Sequence, residues 1–186
     1  DASTDGHSNI GIGKNALGAL TTADQNTAVG TNALGANTSG TRNTAIGAIA
    51  MEDNTTGTNN TAVGKGALAN NTTADDNCAF GIESLFDNTT GAGNTALGYA
   101  ALANNTTAAN NTAVGKNALL LNTTGASNTA LGMGSVTFNT TGNNNTGVGY
   151  LALNANTTAD SNTAVGFQVL AANTTGTANT AVGHNT

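Results

Sequence analysis

The stretch NTAVGKGALANNTTADD, residues 60–76, carries the pattern that decides the fold. A closely similar repeat of 17 residues follows it directly. Each repeat begins with Asn-x-Ala/Gly-apolar-Gly, where x is Thr except at Ile10 and Cys78. The motif begins at Asn9, Asn26, Asn43, Asn60, Asn77, Asn94, Asn111, Asn128, Asn145, Asn162 and Asn179. Constant spacing without insertions is typical of stacked coils, which must stay aligned with one another.

The composition excludes several classes of protein. The chain has 186 residues, of which 8% are charged and 3% aromatic, with 25 Gly and no Pro, so a conventional aromatic core is excluded. Aliphatic residues recur at fixed positions of the repeat, which argues against disorder. Ten acidic residues against four basic ones leave a net charge of −6, without the basic cluster that nucleic acids or anionic membranes require. The longest apolar runs are far too short to span a membrane.

We number the residues of each repeat from its first Asn, which is position 1. A short Thr-Ala-Val segment, followed by Gly and later by Asn-Thr-Thr-Gly, favours a strand and two bends over a helix. One coil buries too little apolar surface to offset its ordering entropy, so the coils must stack. The pattern predicts a single all-β domain over residues 1–186, a parallel β-solenoid of about eleven 17-residue coils with half-coils at 1–8 and 179–186.

Two apolar columns are predicted to form the core. Position 4 is apolar throughout, from Ile12 to Val182, and position 9 is Leu, Met or Val, from Leu17 to Leu170. Because side chains alternate along a strand, position 2 would share the inner face with position 4 and form a Thr ladder in which Cys78 is buried. Position 3 is only Ala or Gly and would face a second surface, while the invariant Gly of position 5 predicts a bend with positive φ.

The Asn at position 12 allows two interpretations. Each of these nine Asn residues is followed by Thr and then by Thr or Ser, which makes it an N-glycosylation acceptor, but Asn at the same position of nine successive coils also predicts a buried amide ladder. Glycosylation of the neighbouring hydroxyls, such as those of Thr55 and Thr56, is a further alternative. The acceptor residues are Asn37, Asn54, Asn71, Asn88, Asn105, Asn122, Asn139, Asn156 and Asn173.

The strings NTAVG, NTAIG and NTALG, followed by x-x-Ala-Leu, resemble the head repeats of trimeric autotransporter adhesins, and similar repeats occur in phage tail fibres. The resemblance covers the chain from Asn9 to Thr186. It implies a left-handed parallel β-roll, an extracellular or cell-surface location, and a trimer in which small faces pack around an axis.

Catalytic and metal-binding signals are weak. The two histidines, His7 and His184, lie near opposite ends of the chain, and no nucleophile or carboxylate accompanies them at a recurring offset. The Gly-Lys pairs lack the Ser or Thr of a phosphate-binding loop, and Asp occupies only some coils, unlike the Asp of calcium-binding repeats. We therefore expect no enzyme activity, no cofactor and no metal site.

Position 6 carries a stripe of large side chains in the later coils. The stripe includes Tyr99, Met133, Tyr150 and Phe167. These side chains either form a lateral contact surface or fold over the corners of the coils.

The sequence favours a structural subunit of an extracellular filament or surface appendage, whose partners are copies of itself and glycans. Its two half-coils would complete one coil between successive subunits, head to tail; the alternative is that the chain is a fragment of a longer solenoid. The residues of this joint would be Asp1, Ser3, Thr4, His7, Ile10, Ile12, Asn179, Val182, His184 and Thr186. The alternatives are an adhesin head or phage-fibre segment that binds a surface ligand, and an ice-binding protein, which would require the position 2 Thr residues to face outward.

Overall fold

A computed structural model describes residues 6–186 and contains no helix within that range. Its strands form one parallel sheet in the order of the chain, from β1 to β11. The strands are β1 Ile10–Ile12, β2 Thr27–Val29, β3 Thr44–Ile46, β4 Thr61–Val63, β5 Cys78–Phe80, β6 Thr95–Leu97, β7 Thr112–Val114, β8 Thr129–Leu131, β9 Thr146–Val148, β10 Thr163–Phe167 and β11 Thr180–His184. The predicted all-β solenoid with a 17-residue period is confirmed.

The register of the sheet follows the repeat. Thr112 lies beside Thr129 and Val114 beside Leu131, so each residue pairs with the same position of the next coil. The Thr112 amide donates to the Asn128 carbonyl at 2.8 Å, and the Gly132 amide donates back to the Val114 carbonyl at 2.8 Å. Each inner coil is therefore hydrogen-bonded on both sides, which is why the spacing tolerates no insertion.

Small residues and one Leu column fill the interior. Position 3 is fully buried from Ala28 to Ala164, and position 9 is fully buried from Leu34 to Leu153. Ala, Ser or Val at position 8 lies beside them, as at Ala118. The prediction for position 9 is confirmed, whereas the prediction that position 3 faces a second surface is wrong, because this column belongs to the core.

Positions 2 and 4 point outward, so their predicted burial is wrong. Ile12 is 60% exposed and Phe80 is 52% exposed, and no position 4 side chain is buried. The position 2 Thr residues are half-buried or exposed, and Cys78, predicted to be buried, is exposed.

The narrow cross-section of the coil explains this inversion. A Cβ added to Gly11 at position 3 would lie 3.5 Å from Leu17 Cδ1, and one added to Gly147 would lie 2.6 Å from Val136 Cγ2. The side chains of positions 3 and 9 thus already meet across the coil. A Val or Phe facing Leu would overpack this space, so the strand turns its single small residue inward and its two larger ones outward.

The backbone bends with positive φ at more positions than the sequence predicts. The Gly of position 5 is confirmed, with φ of 126° at Gly13 and 130° at Gly115. Positions 7, 9 and 17 also have positive φ, although they often hold larger residues such as Ile49 at 54° and Leu102 at 54°. L-residues pay about 1–2 kcal/mol for this conformation, so contacts between coils must maintain it.

Two ladders of buried Asn line the corners of the coils. At position 12, Asn105 Nδ2 donates to Asn88 Oδ1 at 2.8 Å and to the Ala108 carbonyl at 2.9 Å. At position 1, the Asn111 amide donates to Asn94 Oδ1 at 2.9 Å. The predicted amide ladder at position 12 is confirmed, and the constant spacing of 17 residues produces a second ladder at position 1.

Candidate functional sites: the ends, the sheet face and the outer columns

The two ends of the rod expose the core columns that inner coils cover. The position 9 side chains of Leu17 and Leu170 are only half-buried, whereas those between them are fully buried. At position 3, Gly11 is exposed and Ala181 is half-buried. Among residues 6–186, no strand lies beyond β1 or beyond β11.

The hydrogen-bonding groups on the two end faces are complementary. At each inner boundary, a position 2 amide donates to the position 1 carbonyl of the next coil, as Thr163 donates to Asn179 at 2.8 Å. A position 5 amide donates back, as Gly149 does to Leu131 at 2.7 Å. By the same register, β11 directs the Thr180 amide outward and β1 directs the Asn9 carbonyl outward. The Thr180 amide and the Asn9 carbonyl thus correspond to the donor and the acceptor that bond each other at every inner boundary.

The residues predicted for the joint divide between the two ends. Ile10 and Ile12 lie on β1, 53% and 60% exposed, and Val182 lies on β11, 71% exposed. His7 precedes β1, and its amide donates to Asp24 Oδ1 of the following coil. Thr186 accepts from the Leu170 amide at 2.7 Å. Asn179 and His184 are exposed on the last coil, while Asp1, Ser3 and Thr4 lie outside the described residues.

The outward face of the sheet is a regular surface without charge. Positions 2 and 4 of all eleven coils hold Thr, Cys or aliphatic and aromatic residues and no charged one. The Thr residues form one row and the apolar residues a parallel row, with about 4.8 Å between coils. The sequence-based prediction placed both rows inside, and only the small size of position 3 could have indicated the correct orientation.

Position 6 carries a column of side chains that touch from coil to coil. Tyr150 and Phe167 stack at 5.2 Å, and Phe167 and His184 stack at 4.8 Å. The Lys116 ammonium lies 5.8 Å from the ring centre of Tyr99. The residues predicted for lateral contact lie in this column and are exposed, Tyr99 and Met133 by 49% each. Of these four residues, Tyr150 and Phe167 stack on each other along the rod, and Tyr99 lies beside Lys116 of the next coil.

The candidate N-glycosylation residues lie inside the rod. Asn37 to Asn156 at position 12 are fully buried and Asn173 is half-buried. Their Nδ2 atoms are in hydrogen bonds, as Asn54 Nδ2 is with the Gly57 carbonyl at 3.1 Å. Of the hydroxyls, Thr55 Oγ1 donates to the Thr72 carbonyl at 3.0 Å, whereas Thr56 at position 14 is exposed. The folded coil therefore presents hydroxyls, and not these amides, for modification.

Clustered ionisable side chains are scarce. No three His, Cys, Asp or Glu side chains of residues 6–186 come close enough together to hold a metal ion. Nine strands of the sheet separate β1 from β11, so the histidines at the two ends do not meet in one molecule. No helix that could cross a membrane occurs in this same range.

Comparisons of the chain with protein-family models, with curated proteins and with solved structures find no match.

Proposed function

We propose that the chain is a structural subunit of an extracellular filament or surface appendage, and that copies join head to tail by completing a coil between subunits. The observation that carries the proposal is that, within residues 6–186, the outer edges of β1 and β11 have complementary hydrogen-bonding groups. By the register of the inner coils, β11 presents the Thr180 amide and the Val182 carbonyl, and β1 presents the Asn9 carbonyl and the Gly13 amide.

The joint would repeat the boundary that holds the coils together within one molecule. Stacking β1 of one copy on β11 of another would cover Leu17 and Leu170, which are half-buried at the ends. Burying an apolar side chain stabilises by about 1.5–3 kcal/mol, and each added hydrogen bond contributes about 0.5–1.5 kcal/mol. The contact joins two different surfaces, so it leaves a free end on every assembly and produces a filament of open length.

An open sheet edge favours pairing with another chain, and β1 and β11 carry no charge that would oppose it. Their apolar side chains Ile12 and Val182 are exposed at the ends. The location outside the cell rests on the resemblance of the NTAVG-type repeats to adhesin heads.

The test removes one donor from the last strand. Thr180→Pro deletes the outward amide of β11 and places a ring at the joint, while β11 still pairs with β10 through its other edge. The matched control is Thr180→Val, which keeps the amide and the shape of the strand. We expect negative-stain microscopy to show filaments for the original chain and for the Val variant, and isolated rods for the Pro variant.

Light scattering after size-exclusion chromatography provides the second measurement. The Pro variant should elute at the mass of one chain, 18.0 kDa, and its circular dichroism spectrum should match that of the Val variant. Filaments of normal length from the Pro variant, or single rods from the original chain at high concentration, would contradict the proposal.

Ice binding is a second candidate, because the position 2 Thr column faces solvent. Thr95 and Thr112 are exposed on neighbouring strands of the sheet. A regular row of hydroxyls and methyl groups beside an uncharged apolar row can order water on a flat surface. The sequence-based objection, that this column points inward, does not apply to the observed fold.

An ice-recrystallisation assay at micromolar protein tests the second candidate. Thr95→Tyr with Thr112→Tyr would interrupt the row, and Thr90→Tyr with Thr107→Tyr is the matched control, because those exposed Thr residues lie at position 14 on another side of the coil. Inhibition lost only in the first pair supports ice binding. Unhindered recrystallisation with the original chain rules it out.

A further inference from the structure

One coil in the middle of the rod leaves a notch in the surface. The sixth coil has Ala100 at position 7 and Ala103 at position 10, both almost fully buried. The fifth coil has Glu83 and Phe86 at these positions, and the seventh has Asn117 and Leu120. The missing side-chain volume leaves a cavity of about 520 Å³ between the fifth and seventh coils.

The notch has apolar walls at one end. Phe86 and Leu120 flank Ala103 from either side, and both line the cavity. The Phe86 ring lies over Gly66 of the preceding coil, where an added Cβ would be 3.2 Å from two ring carbons. Gly66 therefore provides the room that lets the Phe86 ring lie back over the fourth coil. Two coil spacings, about 9.6 Å, separate the flanking backbones, so one flat ring fits between the walls.

Three of the polar side chains that line the notch have no hydrogen-bond partner among the described residues. The Glu83 carboxylate and the side-chain amides of Asn104 and Asn117 make no hydrogen bond to any other of residues 6–186, and all three side chains are half-buried. Asp87 is partly engaged, since Asn70 Nδ2 donates to Asp87 Oδ1 at 3.1 Å. Half-buried amides and carboxylates without protein partners are available for hydrogen bonds with a ligand's hydroxyl groups.

A second cavity of the same chain shows the opposite arrangement. It measures about 470 Å³ and lies over the Gly and Ala residues of the first two coils. Its polar groups bond one another, Asn15 Nδ2 to Asn32 Oδ1 at 3.2 Å and Asn32 Nδ2 to Glu52 Oε1 at 2.8 Å. No aromatic residue lines it. Groove size alone therefore does not distinguish the notch, whereas its unpaired polar groups and apolar walls do.

The chemistry of the notch matches an uncharged sugar. A pyranose ring has C–H faces that pack on apolar walls and hydroxyl groups at its edge that bond carboxylates and amides. Glu83 and Asp87 would repel an anionic ligand. Tyr99, 49% exposed at the mouth of the notch, has the Lys116 ammonium over one ring face, so its other face and its ring edge are the surfaces available to a neighbouring sugar unit.

We propose that the notch over Ala100 and Ala103 binds one residue of a neutral saccharide, with its ring between Phe86 and Leu120 and its hydroxyls on Glu83, Asn104 and Asn117. The site lies near the middle of the rod and leaves both ends free. It is independent of head-to-tail assembly, and each can fail without the other.

Titration calorimetry with four soluble tetrasaccharides tests the site, with cellotetraose, chitotetraose and maltotetraose as neutral probes and tetragalacturonate as the acidic one. We expect at least one neutral probe to bind with a Kd of about 1 mM or tighter, and the acidic probe not to bind. Ala103→Leu should weaken this binding at least about tenfold by filling the notch, since tenfold corresponds to about 1.4 kcal/mol. The Leu fits the fold, because the next coil already has Leu120 at this position.

Matched variants at equivalent positions of other coils test whether the saccharide binds in the notch. Ala171→Leu adds the same side chain at position 10 of the tenth coil and should leave the affinity unchanged. Tyr99→Ala should weaken binding, whereas Tyr150→Ala, also at position 6, should not. Absence of binding by all three neutral probes at about 10 mM, or equal affinity of the Ala103→Leu and Ala171→Leu variants, overturns the proposal. Tighter binding of the acidic probe would overturn its chemistry.

Discussion

The strand side of the coil, positions 1–5, and the turn side, positions 6–11, follow different rules. The strand side is nearly the same in every coil, whereas positions 6, 7, 10 and 11 range from Gly to Phe and include both charges. The side chains of positions 1 and 3 lie against the next coil, and the Gly of position 5 lies against its backbone. Uniformity therefore marks contact between coils, and variation marks the surface that is free to acquire a chemical role.

Within the strand side, uniformity does not distinguish inner from outer residues. The Thr and apolar columns that face solvent are almost as regular as the Ala column inside. The regularity of the outer columns does not come from burial, because their side chains point away from the core. Pairing of like side chains on neighbouring strands of the sheet favours it instead.

The largest expected effect distinguishes two adjacent residues of β7. Ala113→Asp would place a carboxylate in the fully buried Ala column and should cost several kcal/mol. Val114→Asp changes a half-buried residue of the outer face and should cost about 1 kcal/mol or less. Thermal unfolding followed by circular dichroism measures both. A larger decrease in melting temperature for Val114→Asp than for Ala113→Asp would contradict the observed orientation and support the inward position 4 that the sequence alone predicts.

A smaller but still large effect is expected at the first bend. In Gly115→Ala, the new Cβ would lie 2.7 Å from the Gly132 carbonyl group of the next coil, at a φ of 130°. Backbone strain costs about 1–3 kcal/mol, and the clash adds to it. Lys116→Ala, at the adjacent residue, is the control and should barely change the urea midpoint. A Gly115 variant as stable as this control would show that the bend tolerates a side chain.

The Asn ladder should contribute less per residue. Asn105→Leu removes the donor that Asn88 Oδ1 accepts at 2.8 Å and the acceptor that Asn122 Nδ2 uses at 3.0 Å. Leaving these buried groups short of partners should cost about 2 kcal/mol. Leu20 occupies this position in the first coil, so the side chain is compatible with the bend. Thr107→Leu, an exposed neighbour, is the control; equal melting temperatures would mean that the ladder adds no stability.

The smallest effect has the opposite sign and lies on the turn side. Ile49 has a φ of 54°, which a β-branched residue adopts only with strain, and Asn occupies the same position at Asn15, Asn32, Asn117 and Asn185. Ile49→Asn should therefore stabilise the chain by about 1 kcal/mol. Ala48→Asn, at the adjacent exposed position, should change nothing. A lower urea midpoint for Ile49→Asn would indicate that contacts of the Ile side chain outweigh its strain.

The 17-residue repeat was enough to predict the parallel solenoid, the Leu column of position 9, the bend at position 5 and the Asn ladder of position 12. The inner face of the strand was not predictable from apolarity, because Val and Leu at position 4 suggest burial more strongly than Ala at position 3 does. The deciding quantity is the width of the coil, whose backbone has positive φ at Leu102 and its equivalents. No propensity predicts that conformation for Leu.

The notch was hidden for a different reason. Ala100 and Ala103 are ordinary residues in the sequence and become a cavity only because the coils before and after them have larger side chains at the same positions. Aligning the lines of the repeat by position and searching for a small residue between two large ones could have found it.

The hydrogen bonds between coils run along the axis of the rod, which determines how it would respond to force. Tension applied to the two ends would load these bonds lengthwise and open coils singly from an end. A closed coil occupies about 4.8 Å of the axis, whereas 17 extended residues span up to about 60 Å. Each opened coil would thus lengthen the molecule by more than about 50 Å. Under load the rod would therefore extend by unfolding successive coils before any covalent bond is strained.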